Sequence, residues 1–158
     1  MSIRQGADDG AGENCLAPSL YERVGALLGL QPALYSEVDL MDCLENGLPL
    51  SAVQALRTRA GLTDRETYSL IAPRRTLKRR ETLRQALSRE EADKAVRIAR
   101  VTARAQQVFT GRLEYAAEWL RASKQALGGR TPMKALATES GALAVEELLL
   151  SVEHGMFG

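Results

Sequence analysis

The sequence has few of the residues on which disulfide frameworks, metal centres and catalytic sites depend. It contains two cysteines, Cys15 and Cys43, and one histidine, His154. Without matched cysteine spacing or a histidine cluster, neither a disulfide framework nor a zinc site is supported, and we expect no cofactor. No serine or cysteine nucleophile stands with His154 and an acid at a recognisable spacing. We therefore predict a protein that is not an enzyme and that resides in a reducing cytoplasm.

Aromatic residues are also scarce, at 4% of the chain, although 45% of the residues are hydrophobic. The core must rest on Leu, Ala and Val, which fill interfaces between helices more readily than sheets. This predicts an all-α protein. No apolar run approaches the roughly 20 residues of a membrane-spanning helix, so we expect no membrane association. The acidic start of the chain, without an apolar segment, does not resemble a leader peptide.

Charge is distributed unevenly along the chain, although the net charge is only +1. Residues 1–56 carry 2 basic and 8 acidic residues, whereas residues 57–104 carry 14 basic and 6 acidic residues. A basic segment of this kind is typical of a protein that binds a polyanion such as DNA. The alternative is an ordinary solvated helical face.

Helix signals begin after a segment, residues 1–17, that is rich in Gly, Asp and Asn and is predicted to be a flexible tail. Three capping boxes open predicted helices, and Gly47, Gly61 and Gly111 end others. The capping boxes pair Ser19 with Glu22, Thr63 with Glu66, and Ser88 with Glu91. We predict a helical DNA-binding domain over residues 18–110, whose longest helix, 88–109, has a stripe of alanines that permits a homodimer.

The segment after Thr63 predicts a helix-turn-helix. Pro73 interrupts the helical pattern, so a second short helix restarts near Arg74. In a helix-turn-helix the second helix enters the major groove of DNA, and its early residues reach the bases. The predicted DNA-binding residues, which offer guanidinium, ammonium and hydroxyl donors, are Arg74, Arg75, Thr76, Lys78, Arg79 and Arg80.

The C-terminal part, residues 111–158, predicts a second, smaller helical domain. Thr131-Pro132 is an N-cap followed by the first helical residue, and a last helix runs from about Ser140 to Glu153. Apolar residues at an open chain end have little core to enter unless a partner supplies it. The predicted partner-binding residues are Trp119, Leu148, Leu149, Val152, His154, Met156, Phe157 and Gly158.

Residues 116–158 resemble the toxin-binding domain of Xre/ParS-type antitoxins, the partners of RES-domain toxins. The shared features are, in order, Trp119-Leu120, Leu127-Gly128-Gly129, Thr131-Pro132, Leu136, Thr138-Glu139, Gly141, Val145, Gly155 and Phe157. Upstream, the run from Arg75 to Arg80 resembles the recognition segment of the same family. Together the two parts span about three quarters of the chain, although Ala72-Pro73 stands where this family more often has a Ser-like cap.

The resemblance implies a cytoplasmic antitoxin that binds and blocks an NAD-degrading RES-domain toxin and represses its own operon by binding operator DNA. Two alternatives stay open at this point. The chain could be a stand-alone helix-turn-helix regulator with a C-terminal dimerisation or ligand-binding domain. Within the C-terminal domain, Trp119 is a core residue or a binding anchor, and Phe157 packs on Trp119 or enters the toxin.

Overall fold

The computed structural model describes residues 16–155, which form α-helices joined by short turns and contain no β-strand within that range. This confirms the predicted all-α class. Residues 1–15 of the predicted tail lie outside the described part of the chain. The helices are α1 (Leu20–Leu27), α2 (Glu37–Asn46), α3 (Ser51–Ala60), α4 (Asp64–Leu70), α5 (Arg74–Leu83), α6 (Arg89–Val108), α7 (Leu113–Arg121), α8 (Pro132–Ala135) and α9 (Glu139–Glu153), with a 3-10 turn over Gln125–Leu127.

Helix starts follow the predicted caps. At Ser19, Thr63 and Ser88 the hydroxyl accepts a hydrogen bond from the backbone three residues on, and the glutamate there bonds back to the cap backbone. Such reciprocal bonds satisfy donors that a helix start would otherwise leave unpaired. Gly61 ends α3 in the left-handed conformation, at φ +66°. These local signals therefore place the elements to within a residue or two.

Helix α6 lies at the centre of the fold and packs against α1, α2, α3, α7 and α9. Its alanine stripe is buried inside the single chain, with Ala95, Ala99 and Ala103 fully inaccessible to solvent. Small side chains let neighbouring helices approach closely, so this stripe serves packing within the chain. The prediction that the stripe offers a dimer surface is therefore wrong, because its residues are already covered.

Helices α8 and α9 approach each other so closely that a glycine is required between them. A Cβ atom on Gly141 would lie 1.9 Å from the carbonyl oxygen of Ala135, far inside van der Waals contact. Thr138 caps α9 by accepting a hydrogen bond from the Gly141 backbone at 3.0 Å. The Thr138-Glu139 and Gly141 positions therefore form one compact helical joint.

The turn between α6 and α7 has positive φ angles at both Thr110 (+53°) and Gly111 (+77°), so the chain reverses there sharply. Helix α6 nevertheless packs on α9 as well as on α1. The domain limits 18–110 and 111–158 stay a prediction, and the two parts share one hydrophobic core.

Over residues 16–155, no helix is both long enough and apolar enough to cross a lipid bilayer.

Candidate DNA-binding and toxin-binding surfaces

Helices α4 and α5 form two short helices joined by a tight turn, as the sequence predicts. Ile71 and Ala72 in this turn are buried, and Pro73 stands directly before the first residue of α5 with extended backbone. Proline lacks an N–H and fixes φ, so it suits a helix start and does not fit a helix interior. The buried turn residues attach the joint to the core and leave α5 on the surface.

Helix α5 has no buried residue and presents most of its basic residues to solvent. Arg74, Arg75, Lys78 and Arg79 are exposed, and Thr76 is half-buried. Leu77 packs against the core, so it turns the opposite face of the helix inward. The four exposed cations project from one accessible helix that starts at a turn, which is the arrangement that enters a DNA groove.

Arg80 differs from its neighbours because it is already paired within the chain. Its Nη2 donates a hydrogen bond to Glu91 Oε1 at 3.0 Å, and its Nε lies 2.6 Å from Glu91 Oε2. The two side chains are only 16% and 10% exposed. Burial by itself would raise the pKa of Glu91, but the hydrogen bonds from Arg80 and Ser88 and the charge of Arg80 outweigh it and lower that pKa. The structure therefore places Arg80 in an internal tether between α5 and α6, in contrast to its predicted role as a DNA contact.

We expect Arg80→Gln to lower the melting temperature, because it leaves the Glu91 carboxylate largely buried without its cation. The expected loss is about 1–3 kcal/mol in the free energy of unfolding. The slope of log Kd against log salt for DNA binding should stay at the wild-type value, since no phosphate contact is removed. Thermal melts and anisotropy titrations across a salt series measure both quantities.

Arg79→Gln is the matched control, because Arg79 is the adjacent residue and is exposed. It should leave the melting temperature unchanged and reduce the salt slope by about one unit. If Arg80→Gln reduced the salt slope and left the melting temperature unchanged, the internal tether would be contradicted, and Arg80 would count as a DNA contact.

A shallow cleft that no sequence pattern indicated lies beside α5, between α3, α4 and α5. Its volume is about 190 Å³, and Arg57, Tyr68, Arg74 and Lys78 are among the lining residues. The guanidinium of Arg57 stacks over the Tyr68 ring at 5.8 Å and forms an ion pair with Asp64. These residues come from three helices, and only the tertiary fold brings them together.

Trp119 lies in a small cluster in the C-terminal part. Its ring centroid is 6.2 Å from that of Phe109, with an interplanar angle of 51°. Lys124 Nζ lies 4.7 Å from the centroid of the Trp119 ring, and desolvation lowers the pKa of this lysine. The half-buried indole thus packs on α6 and carries a cation on its face, which uses both its apolar body and its π-system.

The predicted toxin-binding residues of α9 divide by burial. Leu148 and Val152 are half-buried. His154 is exposed at the C-cap, where its backbone N–H donates to the Leu150 carbonyl oxygen at 3.1 Å. Leu149 is 0% exposed, so it belongs to the core. It could contact a partner only if α9 separated from the helices that cover it. Met156, Phe157 and Gly158 lie outside the described residues.

Two exposed leucines of α9 are not among the residues predicted to contact a partner. Leu143 is 53% exposed and Leu150 is 43% exposed. They are seven residues apart, which places them on one face of the helix after two turns. Leu143 also lines a cleft of about 380 Å³ between α2, α6 and α9, opposite the exposed Met41. The spacing in the sequence could have indicated the pair, but its exposure depended on which face α6 covers.

The described residues, 16–155, contain no cluster of three or more His, Cys, Asp or Glu side chains suited to hold a metal ion. Two candidate surfaces lie on these residues. One is the exposed basic face of α5, and the other comprises the half-buried Trp119 of α7 with Leu148 and Val152 of α9.

Two protein families match the parts of the chain that carry these surfaces. Residues 41–100, which include α4 and α5, match the antitoxin Xre-like helix-turn-helix domain. Residues 104–155, which include α7 and α9, match the antitoxin Xre/MbcA/ParS C-terminal toxin-binding domain.

The chain is also similar to several whole proteins over most of their length. Antitoxin Xre of Pseudomonas putida is 37% identical over 133 residues, which cover 84% of this chain and 82% of the relative. The chain belongs to the Xre antitoxin family. Antitoxin Xre of Yersinia enterocolitica is 31% identical over 119 residues, covering 75% of this chain and 80% of the relative. Antitoxin Xre of Photorhabdus laumondii is 30% identical over 114 residues, covering 72% and 77%.

Membership of the Xre family confirms the resemblance noted in the sequence. This Xre-family protein is a regulatory, toxin-binding protein rather than an enzyme. Its helix-turn-helix implies a DNA partner, and its C-terminal domain implies a toxin partner.

Proposed function

We propose that this antitoxin binds and blocks a RES-domain toxin that degrades NAD, and that it represses its own operon in the cytoplasm as a homodimer on operator DNA. The observation that carries the proposal is the division of the chain into two surfaces of different chemistry. One is the exposed cationic face of α5, and the other is the partly apolar end of α9.

The DNA half of the proposal rests on α5. Arg74, Arg75, Lys78 and Arg79 are exposed, and these are the proposed DNA contacts. Arg80 is left out of the proposal because it is bonded to Glu91. Arginine forks suit guanine edges and phosphates, and lysine contributes a point charge. A second copy would place a second α5 on the next half-site, because one short helix reads only a few base pairs.

The toxin half rests on the end of α9 and on α7. Leu148 and Val152 are partly accessible, and Gly155 leaves the helix at φ +68°. A helix end with an apolar tip can cover the entrance of a nucleotide pocket, because its apolar side chains supply buried contact area. Leu149 takes no part in this contact, because it is core.

The test is co-expression with the product of the open reading frame beside the gene of this protein, which we expect to encode the toxin. We expect a toxin of the RES type to deplete cellular NAD when expressed alone, and co-expression of the full chain to restore NAD. A reporter fused to the upstream DNA should be repressed by the same chain. NAD is measured enzymatically in lysates, and repression is measured from the reporter signal.

Reporter repression without any protection of NAD would favour the alternative, a stand-alone regulator with a C-terminal dimerisation or ligand-binding domain. Protection of NAD without repression would restrict the protein to toxin binding. An inactive toxin-gene variant serves as the control, because it shows the NAD level in the absence of degradation.

A further inference from the structure

One arginine of the toxin-binding domain makes polar contacts with the helix-turn-helix. Arg121, the last residue of α7, donates from Nη2 to the Gly61 carbonyl oxygen at 2.9 Å and to Glu66 Oε2 at 3.1 Å. Its Nη1 donates back to the Ala117 carbonyl oxygen of α7 at 3.4 Å. A single guanidinium thus joins α7 to the turn between α3 and α4.

The groups that Arg121 holds are those that fix the start of α4. Gly61 ends α3, and Glu66 closes the capping box of α4 by accepting a hydrogen bond from the Thr63 backbone at 2.9 Å. The Arg121 and Glu66 side chains are 32% and 20% exposed. Because a guanidinium fork binds in a fixed geometry, the contact restrains the direction in which α4 leaves the turn.

The direction of α4 determines the position of α5. Only Ile71, Ala72 and Pro73 separate the two helices, and α5 has no buried residue of its own. A change in the tilt of α4 is therefore carried to the exposed cations of α5. Helix α5 has two further attachments to the rest of the fold. Leu77 packs against the core, and Arg80 pairs with Glu91 of α6.

The loss of Arg121 would not remove α4 itself. Glu66 keeps its two capping-box hydrogen bonds with Thr63, and the buried Thr67 and Leu70 keep α4 on the core. Partly exposed ion pairs contribute little to the free energy of unfolding. The contact therefore has more influence on helix orientation than on whether the domain folds.

We propose that Arg121 is a positioning residue for DNA binding, so that the toxin-binding domain completes the helix-turn-helix. This inference rests on the proposed function, in which α5 contacts operator DNA. It predicts that a residue outside the residues 41–100 matched by the helix-turn-helix family, and without a DNA contact of its own, changes operator affinity.

The experiment compares full-length variants by fluorescence anisotropy on a labelled duplex carrying the DNA immediately upstream of the gene. We expect Arg121→Gln to weaken binding on the order of fivefold, the size of effect typical of residues that couple two parts of a protein. The salt slope should equal that of the wild type, since Arg121 touches no phosphate. Arg121→Lys, which keeps the charge and a donor, should recover part of the affinity.

Glu66→Gln tests the same contact from its other side. Glutamine can still close the capping box, so α4 keeps its start, but the ion pair with Arg121 is lost. We expect weaker binding again, and no further loss in the double variant, because both changes remove one interaction. Should Arg121→Gln melt below the assay temperature, Glu66→Gln and Arg121→Lys carry the comparison.

Arg130→Gln is the matched control, since Arg130 is exposed and lies in the same domain. Among residues 16–155, its side chain hydrogen-bonds only to the nearby Leu127 carbonyl oxygen. Wild-type affinity for Arg121→Gln and Glu66→Gln, an equal loss for Arg130→Gln, or a slope reduced by one unit for Arg121→Gln would each overturn the inference. If the wild-type chain itself does not bind the duplex above its affinity for unrelated DNA, the proposed function fails instead.

Discussion

Replacing Arg74, Arg75, Lys78 and Arg79 together with alanine is expected to abolish specific operator binding while leaving the protein folded. All four side chains are exposed and lie on α5, so their removal opens no cavity. Each lost phosphate contact should reduce the salt slope by about one unit, and each lost base contact should cost roughly 1–3 kcal/mol. The combined loss of affinity is about 1000-fold or more. Anisotropy titrations over a salt series measure it, and circular dichroism checks the fold.

A second quadruple variant separates this effect from the loss of positive charge in general. Arg23, Lys94, Arg112 and Arg130 lie outside α5, and their replacement by alanine removes the same charge. We expect only a modest weakening, without loss of sequence preference, because distant charges act through a screened field. If the two variants lost equal affinity for the operator, or if the α5 variant bound with full affinity, α5 would not be the helix that reads the DNA.

Deleting residues 153–158 is expected to abolish neutralisation of the toxin while DNA binding and melting are preserved. Glu153, His154 and Gly155 are exposed, so their removal uncovers no described core residue. The truncated chain loses the apolar residues proposed to cover the toxin pocket, and we expect inhibition to weaken by about 100-fold or more. Titration of purified toxin with the truncated chain, with NAD consumption as the signal, measures the change.

Two further results decide how residues 153–158 act. A full-length chain with Met156→Ser and Phe157→Ser should lose most of the inhibition, because it removes the apolar side chains and keeps the chain length. If the truncated chain instead melts early, Phe157 belongs to the core, as in the alternative in which it packs on Trp119. A stable truncated chain that inhibits fully would show that residues 153–158 do not block the toxin.

Helix boundaries were predictable because they depend on short-range chemistry. Ser88 with Glu91 opens α6 one residue after the predicted start, and Pro73 directs the restart at Arg74. A cap hydroxyl and the backbone N–H that it bonds are three residues apart, so both appear in one short window of sequence. The family was predictable for a related reason, since turn residues and core positions recur in a fixed order.

The roles of individual surface residues were less predictable. Arg80 and Arg79 are adjacent in sequence, yet Arg80 is paired with Glu91, whereas Arg79 is exposed. Leu148 and Leu149 are likewise neighbours, yet only Leu149 is fully buried. Adjacent helical residues point about 100° apart, so a small rotation of the helix decides which of them meets a partner helix.

The sequence by itself determined the all-α class, the caps, the helix-turn-helix joint and the Xre family, because each depends on residues near one another or on an ordered set of motifs. The tertiary structure alone decided that the alanine stripe of α6 is internal, that Arg80 is a tether and that Arg121 reaches Glu66. The last contact joins residues 55 positions apart. Contacts over such separations depend on how helices cross, and crossing is set by the packing of the whole core rather than by any local pattern.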